Sequence, residues 1–245
     1  ILAGTVLAFA EGRVVARDQA ENDIVLKRSA DGGRTWSPLQ VVAERGKDSL
    51  NNPCVVEDAK TGRILLMFQV YPAHIREAGR IETGCEGTNT ILSLATVSED
   101  DGKTWSPAKD ITRQVKHPAG ATTLASGPGI GLRLRRGPHA GRLVMPFNEG
   151  PFGRWQVYAA FSDDGGATWT AGGNAPGALV TDAKGRTGSR VNEVQMVELD
   201  DGAILLNSRN PAGPRNRTAA VSRDGGRTWT DVRIVPELFD APCMA

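Results

Sequence analysis

The chain has 245 residues, 40% of them hydrophobic and 23% charged, which excludes a disordered polymer. Its 29 Gly and 14 Pro exceed the roughly 12% usual for the two together and favour a turn-rich fold over a helical bundle. A net charge of +1 excludes the basic excess of a general nucleic-acid or anionic-membrane binder, and no apolar run reaches the ~18 residues of a membrane span.

In chain order, the first predicted element is the apolar run Ile1–Phe9, broken by a turn glycine at Gly4. A second short run, DIVLKRS, leads into the octapeptide SADGGRTW at Ser29–Trp36, and a third, PLQVV, follows it. The same order then returns. PCVVEDAKTG, a turn at Gly62 and RILLMFQ precede ILSLATVS and the octapeptide SEDDGKTW at Ser98–Trp105. GLRLRRGPHAG, a turn at Gly141 and RLVMPFN precede QVYAAFS and SDDGGATW at Ser162–Trp169. VQMVELDDG, a turn at Gly202 and AILLNSR precede TAAVS, SRDGGRTW at Ser222–Trp229 and DVRIV. The four octapeptides start 69, 64 and 60 residues apart and hold four of the five tryptophans.

A run, a glycine turn and a second run read as a β-hairpin, so each period of ~60 residues carries four short strands and no helix-length amphipathic segment. Four-stranded units at this period predict an all-β chain, a β-propeller built from four-stranded blades. The octapeptide then has a structural role. Its Asp caps a tight turn, its Gly supplies positive φ and its Trp wedges between sheets.

The repeat also indexes one rim. In an up-and-down blade the second strand ends on the rim where the first begins, opposite the octapeptide turns. Seven residues after each hairpin glycine stand Glu11, Gln69, Asn148 and Arg209, all polar after apolar runs. The first-strand starts hold Asn52 and Pro53 in one unit and Asn192 and Glu193 in another, and the loop after Glu11 carries Arg13, Arg17 and Asp18. Arginines among carboxylates suit an anionic, hydroxylated ligand, because the guanidinium fork matches a carboxylate bidentately. A rim carboxyl can serve as a general acid.

Other features are quiet. Cys54, Cys85 and Cys243 are odd in number, widely spaced and offer no disulfide framework or metal pair. His74, His117 and His139 read as surface residues, no metal site is expected, and no cofactor is demanded. The chain starts inside a strand-like run and stops at Pro-Cys-Met-Ala, so it reads as an internal piece of a longer protein, one domain over 1–245 truncated at both ends.

At this point the sequence resembles a family. VLAFAEGR at Val6–Arg13, Arg17–Arg28 with its R-D-x-x-x-N-D-I-V-L-K-R pattern, NNPCVVED at Asn51–Asp58 and NEVQMVELDDGAILLNSRN at Asn192–Asn210, with the octapeptide Asp boxes, resemble exo-α-sialidases of the bacterial and mammalian neuraminidase type. The resemblance implies a six-bladed propeller, of which this chain holds about four blades. It implies Asp18 as general acid/base and Glu193 as the carboxylate that polarises a nucleophilic tyrosine. It implies Arg209 as one of three arginines gripping the sialic acid carboxylate, with Glu11 orienting an arginine of that cluster and Arg13 and Asn52 in the pocket wall.

Sialic acid carries a carboxylate on its anomeric carbon, so a neutral phenol avoids the repulsion a carboxylate nucleophile would meet. Retention through a tyrosyl intermediate is implied. The implied partners are sialylated glycans on glycoproteins, glycolipids or oligosaccharides, and the resemblance favours a secreted or periplasmic setting. Two arginines and the tyrosine of the family pattern have no match here. Tyr158 reads as packing and Tyr71 as a candidate pocket residue, and the piece alone is expected to be inactive. Two other readings compete. One is a non-catalytic Asp-box propeller that binds glycans or proteins. The other is a related glycosidase or trans-glycosylase acting on another acidic sugar.

Overall fold

The computed structural model describes residues 4–18, 20–78, 80–211 and 215–240. The chain is all-β. The first unit holds β1 (Val6–Arg13), β2 (Asn22–Ser29) and β3 (Gln40–Ala43), each antiparallel to the next. The second holds β4 (Ser49–Asp58), β5 (Arg63–Tyr71), β6 (Leu92–Ser98) and the two-residue β7 (Lys109–Asp110). In the third, β8 (Thr123–Ser126) and β10 (Leu132–Arg133) both pair with β11 (Leu143–Gly150), followed by β12 (Gln156–Ser162) and β13 (Thr170–Ala171). A small hairpin, β14 (Leu179–Thr181) and β15 (Thr187–Ser189), leads to the fourth unit, β16 (Val194–Glu198), β17 (Ile204–Ser208), β18 (Asn216–Ser222) and β19 (Arg233–Phe239). Among the described residues helix is confined to α1 (Ala73–Ala78), α2 (Thr112–Val115) and one 3-10 turn, and none of these is long and apolar enough to cross a membrane.

Three details depart from the expected pattern. The first strand of the third unit is broken, because Pro128 has no N–H to give a ladder. Gly131 also lies so close to Met145 that a side chain there would overlap its sulfur. The freed segment β9 (Gly129–Ile130) instead runs parallel to β4, which ties the third unit to the second. The β14–β15 hairpin has no counterpart in the sequence repeat. Nor is His117 a free surface side chain, although it stays partly exposed. Its Nδ1 lies 2.6 Å from Glu149 Oε1 and its Nε2 3.0 Å from the Gly172 carbonyl, and the Glu149 hydrogen bond raises its pKa against the opposing effect of burial.

The octapeptides do what their composition predicts. In the first, Asp31 Oδ1 accepts the backbone N–H groups of Arg34 and Thr35, both at 2.9 Å, and Oδ2 accepts the Thr35 hydroxyl at 2.6 Å. In the other three, Asp100, Asp164 and Asp224 accept the corresponding threonine amide and hydroxyl. Gly33, Gly102, Gly166 and Gly226 all adopt positive φ.

Each later turn packs on the unit before it. Trp105 meets Phe9 edge-on at 5.6 Å, Trp169 joins the core shared by the second and third units, and Trp229 joins that of the third and fourth. Trp36 has no earlier unit among the described residues to pack on and is 41% exposed. Burial of the apolar faces between successive units supplies the main stabilising term, roughly 25 cal/mol per Å² of apolar surface removed from water.

Candidate active site

The predicted rim residues fall into two groups of charged side chains. The first starts at the end of β1. Glu11 is largely sheltered and accepts two hydrogen bonds from different directions. Arg13 Nε reaches its Oε2 at 2.8 Å, and the backbone N–H of Asn52 reaches its Oε1 at 2.8 Å. Arg13 extends further and holds Asp18 Oδ1 through Nη1 at 2.9 Å. The hydrogen bond to Glu11 is the main reason the Arg13 pKa is raised, so it stays a cation. The Asp18 side chain is 92% exposed, yet its backbone is pinned: buried Asn22 donates to the Asp18 carbonyl at 3.1 Å and to Ser49 and Asn51 of the second unit. Glu11, Arg13 and Asn52 line a cleft of about 560 Å³ with Pro53, Pro128 and Ile130.

The second group lies where the fourth unit begins. Arg209 Nη1 donates to Glu193 Oε2 at 2.8 Å, and the Arg209 amide donates to the Glu193 carbonyl at 3.0 Å, so both residues are fixed to each other twice. The buried Arg209 Nε has no hydrogen-bond partner among the described residues. Beside them Asn148 Nδ2 donates to Asn192 Oδ1 at 3.3 Å.

The segment from β8 to Pro128 runs between the two groups. Ser126 Oγ donates to the Asn52 carbonyl at 3.0 Å, and the next carbonyl, Gly127, accepts the Val194 amide at 3.1 Å, one residue from Glu193. The Gln195 side-chain amide donates to the Pro128 carbonyl. Ala125 pairs with Asn148 in the ladder.

Gln69 holds the indexed strand position but has no exposed surface, and its amide is spent on Ser126 and Ser93. It can therefore reach a ligand only through other residues. Asn148 is nearly enclosed. Neither tyrosine can attack a substrate. Tyr158 is enclosed with its hydroxyl on the Val115 carbonyl. Tyr71 is buried, donates to the Leu124 carbonyl at 3.2 Å and has its pKa pushed up to about 12 by burial, which corrects its expected pocket role. Sequence reasoning missed Asn22 and Ser126. Asn22 had a signal, a polar residue opening an apolar strand four positions after Asp18. Ser126 had none.

A larger cavity of about 590 Å³ adjoins the cleft near the start of β1. Its walls are mainly apolar, with Val6, Val56 and Val197 among them, and it holds none of the predicted rim residues. We take the cleft as the candidate site because Glu11 and Arg13, the pair that holds Asp18, line it.

Comparison with known proteins bears on what this arrangement does. The BNR repeat-like domain matches residues 4–242. The chain belongs to that family. Within the family it is 35% identical to a sialidase of Micromonospora viridifaciens over 97% of this chain and 36% of the relative. It is 32% identical to sialidase-4 of Mus musculus over 96% of this chain and 49% of the relative. The solved structure of Hadza microbial sialidase Hz136 superposes with a TM-score of 0.79 at 30% identity, covering 94% of this chain and 44% of that one. An intramolecular trans-sialidase from Ruminococcus gnavus superposes with a TM-score of 0.78 at 20% identity, covering 98% and 70%, a likeness of fold. The chain thus spans about a third to a half of these two curated relatives.

Proposed function

We propose that the protein carrying this chain is a retaining exo-α-sialidase that releases terminal sialic acid from glycoconjugates. The observation that carries the reading is Asp18: an exposed carboxylate held at the cleft edge by the Arg13–Glu11 pair, whereas every Asp-box carboxylate is consumed inside its own turn. The sialidases among its relatives support the substrate class.

In this mechanism Asp18 protonates the leaving glycosidic oxygen and later takes a proton from the attacking water. Glu193 polarises a tyrosine supplied from outside this chain, and that phenol forms the covalent intermediate. Arg209 grips the substrate carboxylate with two further arginines, also from outside the chain. Its geometry suits this role, because Glu193 takes Nη1 and Nε is buried, which leaves Nη2 as the donor for an anion. Arg13, Asn52 and Asn148 contribute to the pocket wall, Glu11 orients an arginine of the carboxylate-gripping cluster, and Gln69 acts beneath the surface. The four units are about four blades of a six-bladed propeller, and the 245-residue chain alone is inactive.

The test is made on the full-length protein. Asp18→Ala and Glu193→Ala should each lower kcat/KM for a sialyl-oligosaccharide by roughly 10²–10⁴. An aryl sialoside should lose less with Asp18→Ala, because a good leaving group needs little protonation. Unchanged turnover in both variants would sink the assignment and favour a glycan- or protein-binding propeller. Release of sialic acid by the isolated 245-residue chain would overturn the expectation of inactivity.

A further inference from the structure

Asn52 is the one described non-glycine residue lining the cleft with a positive φ. Its φ is +54°, in the left-handed region, and it precedes a proline, which restricts it further. The β4–β5 register shifts between Asn51 and Cys54, so Asn52 and Pro53 bulge out of the strand. Such a conformation persists only where its surroundings hold it.

Two contacts do so. On one side the Asn52 N–H donates to Glu11 Oε1 at 2.8 Å. On the other the Asn52 carbonyl accepts the Ser126 hydroxyl at 3.0 Å. Ser126 is itself fixed by Gln69, which accepts its amide at 2.9 Å and donates to its hydroxyl oxygen at 3.1 Å. Both residues are fully buried, and Ser93 lies 3.4 Å from the Gln69 amide nitrogen. A buried amide and hydroxyl so placed leave little rotational freedom, because every alternative rotamer strands a buried polar group.

We infer that Gln69 and Ser126 are positioning residues for the proton-transfer carboxyl. They lock the Asn52 bulge, whose N–H fixes Glu11. Glu11 fixes Arg13, and Arg13 holds Asp18. The inference rests on the proposed role of Asp18 as acid/base. Displacement of a catalytic group by about 1 Å is enough to cost roughly 10²-fold.

A merely structural role would depress all substrates alike, whereas mispositioning of an acid depresses only those whose leaving group needs a proton. In the full-length protein, Ser126→Ala should lower kcat/KM for sialyllactose about ten- to hundredfold. The same variant should leave an aryl sialoside with a good leaving group within about threefold, because departure of that group needs little protonation. Ser126→Thr, which keeps the hydroxyl, should restore most of the loss. Should Ser126→Ala fail to fold, Gln69→Glu, which keeps an oxygen for the Ser126 amide, is read in the same way. Equal losses on both substrates, or no loss on either, overturn the inference. Asp18→Ala is run in parallel. If it too lacks leaving-group selectivity, the proposed function has failed. If it is selective and the Ser126 and Gln69 variants are not, only the positioning relay has failed.

Discussion

The two rims of the molecule use aspartate to opposite ends. On the octapeptide rim each Asp is saturated by its own turn: Asp164 takes the Thr168 amide at 2.9 Å and the Thr168 hydroxyl at 2.6 Å, four residues away. Most of the carboxylate's acceptor sites are taken by its own turn, although it is exposed to solvent. On the cleft rim Asp18 meets a single cation, Arg13, which is shared with Glu11. Its remaining lone pairs face water. Exposure alone does not separate the two cases. What separates them is whether local backbone donors already fill the acceptor, which is a question of chain geometry within five residues.

That contrast can be broken by substitutions read for stability and activity together. The largest stability effect belongs to the octapeptide rim. Trp229→Ala, in the core between the third and fourth units, should cost about 3–5 kcal/mol by denaturant midpoint. Trp36→Ala should cost about 1 kcal/mol, the worth of its indole N–H bond to the Gly33 carbonyl. Equal costs would show that Trp36 is covered in the full-length protein. On the cleft rim Asp18→Ala should leave stability within about 0.5 kcal/mol while removing activity.

The second comparison lies within the repeat. Gly166 and Gly33 have φ of +87° and +91° at equivalent positions. A side chain on Gly166 would overlap Leu65 of the preceding unit, whereas on Gly33 it would meet Trp36 at 3.8 Å. Gly166→Ala should therefore cost about 2–4 kcal/mol, from strain plus overpacking, and Gly33→Ala about 1–2 kcal/mol from strain alone. Urea titration of both variants checks the difference.

The parts of this molecule that sequence made legible are those whose contacts are short in sequence. The octapeptide turn closes within five residues, so its motif states its own hydrogen bonds. Glu11, Arg13 and Asp18 are likewise near neighbours, and their mutual contacts span two to five residues. Asn52 and Ser126 are 74 residues apart, and nothing in a serine after Thr-Leu-Ala marks it as the anchor of a bulge. The repeat places Gln69 at the correct end of its strand, but a period gives the position along a strand and not the depth of the side chain. His117 escapes sequence reading for a related reason. Its partner Glu149 lies 32 residues on, and only the fold brings them together.

Acid titration gives the smallest and most direct separation of the rims. Asp31, Asp100 and Asp164 are held at a pKa of about 2. For Asp31 and Asp100 the threonine hydroxyl is the largest cause, and for Asp164 the hydrogen bonds of the turn outweigh an opposing desolvation. An unfolded aspartate titrates near ~3.9. The folded value is the lower one, so these turns add stability that is complete above about pH 4–5 and is lost as pH falls towards about 2. The His117–Glu149 pair acts with the opposite sign. The folded His117 pKa is raised, so its contribution is complete below the unfolded value of ~6.5 and is lost as pH rises through the folded one. Stability followed from about pH 2.5 to about pH 9 should therefore fall on both sides. Asp100→Asn should make the acid limb shallower, leaving the shares of Asp31 and Asp164, and Glu149→Gln should act on the alkaline limb alone. An acid limb untouched by Asp100→Asn would mean that the box carboxylates are not what the fold loses first.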